Sequence, residues 1–162
     1  MVNRMSTLGG LLKRIGNFDP SLFQSDFNAR LILQKTIYLM QKFDLFIGYT
    51  YSYYLRGPYS PALTRDAYAL LNEFGSLPLV EFANPEDEEH FKIFLAFVKP
   101  HVKDHAWLER AASILFHVRA YPHETKDAVF LKTKVKIRSL TRSEFDQIFE
   151  ELNEVGLLKR RT

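Results

Sequence analysis

The chain has no cysteine in its 162 residues. That excludes a disulfide framework, a thiolate nucleophile and any zinc or iron–sulfur site built on thiolates. It fits a cytoplasmic protein, which is the location expected. The chain also lacks any apolar run approaching the roughly 18–20 residues of a membrane span. Its first residues, M-V-N-R-M-S-T-L-G-G-L-L-K-R-I, do not read as the apolar core of a signal peptide, so no membrane is expected. Internal repeats and low-complexity segments are missing as well. So are the G-x-S-x-G, H-E-x-x-H, Walker A and G-x-G-x-x-G patterns. No enzyme, cofactor or metal site is expected on these grounds. His101 and His105 lie four apart, but Pro100 and Asp104 place them across a helix start, where solvated side chains are the plainer reading. His117 reads as a packing or surface histidine within a helix. The carboxylates from Glu86 to Glu89 follow Asn84-Pro85 and suit a helix N-terminus better than acid–base chemistry.

What the chain has in excess is aromatic side chains, fourteen Phe and eight Tyr. They must pack against something, and the surplus makes a homodimer an expectation. Hydrophobic residues are 46% and charged residues 25%, the balance of a soluble globular protein. The net charge is +3, unevenly spread. Glu81 and the Glu86–Glu89 group are acidic, whereas Lys126, Lys132, Lys134, Lys136, Arg138 and Arg142, with Lys159-Arg160-Arg161, make the last third basic. A basic third is the residue pattern of a nucleic-acid-binding surface, and those six side chains, from Lys126 to Arg142, are its candidates.

Periodicity and capping signals predict a mainly α fold, a compact multi-helix bundle. Leu8, Leu11, Leu12 and Ile15 mark a first helix, and Asp19-Pro20 opens a short second one. A third, over 27–42, is apolar on most sides, interrupted by Gln34, Lys35 and Gln41, so several neighbours must bury it. Residues 49–55 alternate as a short extended segment. Gly57-Pro58 predicts a turn, and Ser60-Pro61 restarts a helix that Gly75 should end. Further helices follow from Asn84-Pro85 to about 98, from Asp104 to a limit at Pro122, over 124–132 and over 141–155. The last carries a Thr141–Glu144 capping box, a Leu140–Phe145 staple, and Gly156 with Leu157 as a Schellman stop. The final helices have the order of a winged-helix-like subdomain. We therefore read 1–100 as a helical core and 101–162 as a C-terminal subdomain, together one compact unit.

The stretch 30–71 organises the rest. Lys35 on a buried helix is expected to reach solvent along its aliphatic stem. Arg56 and Tyr59 flank a constrained joint, beside Tyr51, Tyr53 and Tyr54. Arginine and tyrosine dominate protein interfaces, so Lys35, Tyr54, Arg56 and Tyr59 are the candidate partner-binding residues. L-Q-K-T-I-Y-L-M-Q at 33–41, followed by Y-L-R-G-P-Y-S-P-A-L at 54–63, resembles the Panacea-domain superfamily, which includes the SocA-like antitoxins. The closer likeness is to uncharacterised bacterial and archaeal proteins of the YwgA type. It spans roughly residues 25–75. Arg56 stands where many relatives have an aromatic or apolar residue. The resemblance implies a mostly helical domain without a shared catalytic residue. For some members it implies toxin neutralisation or a proteolytic-adaptor role. The expected function is thus a non-enzymatic interaction protein whose partner belongs to a toxin or protease system. The alternative is a small DNA-binding regulator.

Overall fold

A computed structural model describes residues 4–159. Asp19 accepts hydrogen bonds from the backbone of Ser21 and Leu22 and so starts α2 (Pro20–Ser25) after α1 (Arg4–Ile15). Asp26 closes α2 and caps α3 (Phe27–Gln41). A loop leads to a two-stranded antiparallel hairpin, β1 (Ser52–Tyr54) and β2 (Gly57–Tyr59). Ser60 then caps α4 (Pro61–Leu70). The remaining helices are α5 (Pro85–Val98), α6 (His105–Ala120), α7 (Lys126–Lys136) and α8 (Arg142–Glu154). The fold is mainly α, as expected. No helix among the described residues is long and apolar enough to cross a membrane.

Helix α6 shares the centre with α3. It is buried along most of its length and packs on α3, β2, α7 and α8. Three small residues, Ala111, Ala112 and Ser113, let neighbours approach it closely. One apolar cluster runs through both spans of the chain, from Leu8 to Leu157. The acidic start of α5 is tied to α1, because Arg14 donates to both oxygens of Glu88 at 2.7 and 2.6 Å.

The end signals of α8 form as the sequence predicts. Thr141 and Glu144 make the reciprocal capping box. At the other end Gly156 has φ +79°, and Leu157 N–H donates to Leu152 at 3.1 Å while Gly156 N–H donates to Asn153 at 3.0 Å, the Schellman pair.

Elsewhere the boundaries move. Helix α4 stops at Leu70, short of Gly75: the chain tightens there into turns, with Leu71 N–H donating to Tyr68 O and Glu73 N–H to Leu70 O, and Lys13 of α1 holds the carbonyls of Gly75 and Leu77 beyond. Helix α7 starts one residue after Thr125, whose hydroxyl accepts from Ala128 N–H, and runs on to Lys136. The expected turn at Gly57-Pro58 is instead part of β2. The chain reverses at Leu55-Arg56, with Tyr54 paired to Gly57. Neither turn residue has positive φ, so Gly57, at +98°, makes the reversal in backbone hand that a two-residue hairpin needs. The helices α6, α7 and α8 follow in the order expected of the C-terminal subdomain. Among the described residues no strand accompanies them. Arg160 and Arg161 of the basic tail lie outside the described residues.

Candidate functional site beside the hairpin

Gln34, Lys35 and Gln41 interrupt the apolar surface of α3, and each finds backbone further along the chain. Gln41 Oε1 accepts from Ile47 and Tyr49 N–H at 3.1 and 3.2 Å, and its Nε2 donates to Tyr49 O at 2.9 Å. Gln34 Oε1 accepts from Ser60 N–H at 2.9 Å, while its Nε2 donates to Ser60 O at 2.9 Å and Thr64 Oγ1 at 2.8 Å. Lys35 Nζ donates to Pro58 O at 2.6 Å. Segment 47–60 is therefore laced along α3 by side chains that bond to its backbone groups.

Lys35 does not reach solvent. It is 2% exposed and lies under β2, against the inner face of Gly57. Pro58 O gives its ammonium a partner that a route to water would not improve on. Burial pulls its pKa down to about 8, with Glu109 resisting and Arg56 adding to the fall. Glu109 is the residue that sequence reading missed. It projects from α6, 6% exposed, and Arg56 grips it with Nε at 2.5 Å and Nη2 at 3.2 Å. The one signal for it was a carboxylate on a helix otherwise lined with Leu108, Ala111, Ala112 and Leu115, which demands a cation. The hairpin tip is thus clamped to both central helices, by Lys35 from α3 and by Glu109 from α6.

Outside this clamp a groove of about 260 Å³ opens between α3, α4 and the hairpin. Phe27, Tyr59 and Tyr68 form its aromatic walls, with Arg30, Arg56, Gln34 and Thr64 as polar members. Arg56 also lies over the Phe27 ring, 5.3 Å from its centroid. Of the four candidate residues, Arg56 and Tyr59 reach the groove directly. Lys35 contributes from beneath, where it positions the hairpin. Tyr54 stands outside the groove lining, its ring edge-on to Tyr59 at 5.3 Å. Around the groove the exposed apolar side chains are Phe27, Tyr54, Leu55 and Tyr68, with Leu55 at the hairpin tip 79% exposed.

The basic third is arranged differently. Lys126 pairs with Asp146 at 3.3 Å, Lys132 with Glu124 at 3.7 Å, and Arg142 with both Asp127 and Asp146 at 2.8 and 2.9 Å. Lys134 donates to the carbonyls of Arg138 and Leu140 beyond the end of α7. Lys136 and Arg138 are exposed.

His101 stacks on Trp107 at 3.7 Å and meets Glu151 at 3.3 Å, and His105 opens α6. His117 is buried against Thr133 Oγ1 at 3.2 Å, and burial lowers its pKa. Among the described residues no three His, Asp or Glu side chains converge as a metal ion requires.

A scan against models of protein families and searches of curated proteins and of solved structures find no match to this chain.

Proposed function

We propose that this chain is a non-enzymatic interaction protein, antitoxin-like or adaptor-like, which binds a protein partner over the hairpin tip and the groove beside it. The observation that carries this is the exposed rim of Phe27, Tyr54, Leu55 and Tyr68 around Arg56, set on a hairpin that the buried Lys35–Pro58 hydrogen bond and the part-buried Arg56–Glu109 ion pair hold to the two central helices. Apolar side chains exposed together around an arginine are what an interface core is made of. Prior rigidity lowers the ordering cost of binding. The likeness of 33–41 and 54–63 to the Panacea-domain superfamily supports the same reading, since some of its members act through protein contacts. The alternative, a DNA-binding regulator, gains little from the basic third, because acidic side chains already pair with three of its six candidate cations, Lys126, Lys132 and Arg142.

The test is affinity capture from a lysate of the source organism, with proteins identified by mass spectrometry. A partner held by the wild-type chain should be lost with Arg56→Ala/Tyr59→Ala. It should also be lost with Leu55→Asp, which changes only an exposed side chain and leaves the fold intact. Retention of the same partner by the Leu55→Asp chain would remove the hairpin from the interface.

A further inference from the structure

The polar atoms of the groove share one sense. Gln34 cannot be turned round, because its Oε1 accepts from Ser60 N–H and its Nε2 donates to Ser60 O. Its amide therefore donates to Thr64 Oγ1. The Thr64 hydroxyl in turn donates to Tyr59 OH at 2.9 Å. A phenol oxygen that accepts this bond keeps its own hydrogen to give, and Tyr59 gives it to no group among the described residues. Arg56 uses Nε and Nη2 on Glu109 and leaves Nη1 unused. Arg30 spends Nη1 on the carbonyls of Phe23 and Gln24 at the end of α2 and leaves Nε and Nη2 unused. The lining contains three cations, Arg30, Lys35 and Arg56, and no carboxylate. Glu109, behind it, offsets one of them.

We infer that the groove takes a carboxylate side chain, and an apolar side chain two residues along, from an extended segment of the protein partner, since residues i and i+2 of such a segment share a face: the carboxylate accepts from Tyr59 OH, Arg56 Nη1 and Arg30, and the apolar side chain lies on Phe27, Tyr59 and Tyr68. A carboxylate has only acceptors and is planar, which suits the free edge of a guanidinium. This rests on the protein-partner reading above. Partner capture tests that reading, and the experiment below tests the ligand chemistry without any partner.

The probes are two short blocked peptides, acetyl-Ala-Glu-Ala-Phe-Ala-amide and the same peptide with Gln for Glu, titrated into the 15N-labelled full chain at low salt and followed by NMR. The Glu peptide should shift the amide signals of residues 27–35 and 55–60 saturably, and the Gln peptide should bind about tenfold more weakly. Tyr59→Phe and Arg30→Gln should each erase most of that difference while leaving the weak Gln-peptide binding alone. Tyr59→Phe deletes one hydroxyl, with its donor to the ligand and its bond from Thr64, and keeps the ring, so it serves if Arg30→Gln disturbs α2. Equal binding of the two peptides, or shifts that fall elsewhere on the surface, would overturn the inference. So would inorganic phosphate binding at the same signals more tightly than the Glu peptide, which would make the site a phosphate site. Acid-selective binding together with a captured partner that ignores Leu55→Asp would keep the groove's chemistry and refute the partner reading.

Discussion

Lys35 keeps its amine out of water, and the cost shows in its titration. Its pKa in the folded chain is about 8, against 10.5 when exposed. Below the lower value the amine is protonated in both states. Between the two values only the unfolded chain keeps the proton, so stability from this residue rises with pH through that window and levels off above it. The full change is on the order of 3 kcal/mol, since each tenfold change in proton affinity is worth about 1.4 kcal/mol. The buried phenols of Tyr38, Tyr49 and Tyr51 act in the opposite sense. Burial raises their pKa values, so above about pH 10 they ionise only on unfolding and destabilise the fold. The useful quantity is therefore the difference between wild type and Lys35→Met, in which the tyrosines cancel. Denaturant unfolding across this range should give a wild-type stability that climbs relative to the variant between pH 8 and 10.5. Parallel curves would mean that the amine is not desolvated.

At the scale of elements, the hairpin depends on one residue that carries no side chain. Gly57 combines a φ of +98° with a position where a Cβ would stand 2.6 Å from Ser113 Oγ on α6. Left-handed backbone costs an L-residue about 1–2 kcal/mol before any clash is counted. Gly57→Ala should therefore lose roughly 2–4 kcal/mol of unfolding free energy. Adding Ser113→Ala should recover the steric part and leave the backbone part, giving a clear coupling in the double-mutant cycle. Strict additivity would show that β2 does not sit on Ser113. The same contact explains why the sequence misplaces the turn. Gly57-Pro58 has the composition of a reversal, but its small, donor-poor backbone is what lets β2 press between α3 and α6. The reversal itself falls on Leu55-Arg56, which have no turn preference. Docking on the two helices decided the register, and a local reading cannot see docking.

At the scale of the whole molecule, charge is interleaved rather than segregated. The sequence places six cations between 126 and 142 and reads as basic. In the fold, Glu124, Asp127 and Asp146 stand among them and pair with Lys126, Lys132 and Arg142. Such exposed pairs add little stability, but they flatten the potential that a polyanion would meet. Binding to a short duplex DNA should accordingly be weak. Its affinity should fall only shallowly as salt rises, in line with one or two phosphate contacts. A steep log–log slope, abolished by Lys132→Glu, Lys134→Glu and Lys136→Glu together, would restore the DNA-binding reading.

Much about this protein is local and therefore legible in the chain. Caps at Asp26, Ser60, Asn84, Asp104 and Thr141 depend on side chains within three residues of the groups they satisfy, and the Gly156 stop on backbone bonds that span at most five. That proximity is why the helices and the mainly α class follow from sequence. The position of Arg56 and Tyr59 at a constrained joint was legible too, because Gly57 and Pro58 lie between them. The tertiary structure decided what those residues do. It brought Glu109, fifty-three positions away, against Arg56. It sent Lys35 inward to Pro58 O instead of outward to water, and it chained Gln34, Thr64 and Tyr59 so that Tyr59 keeps its hydroxyl hydrogen for the groove. A lone charge or amide on a buried helix announces that a partner exists. Only the packing of distant elements names it, because the energy of a buried polar group lies in the group it meets.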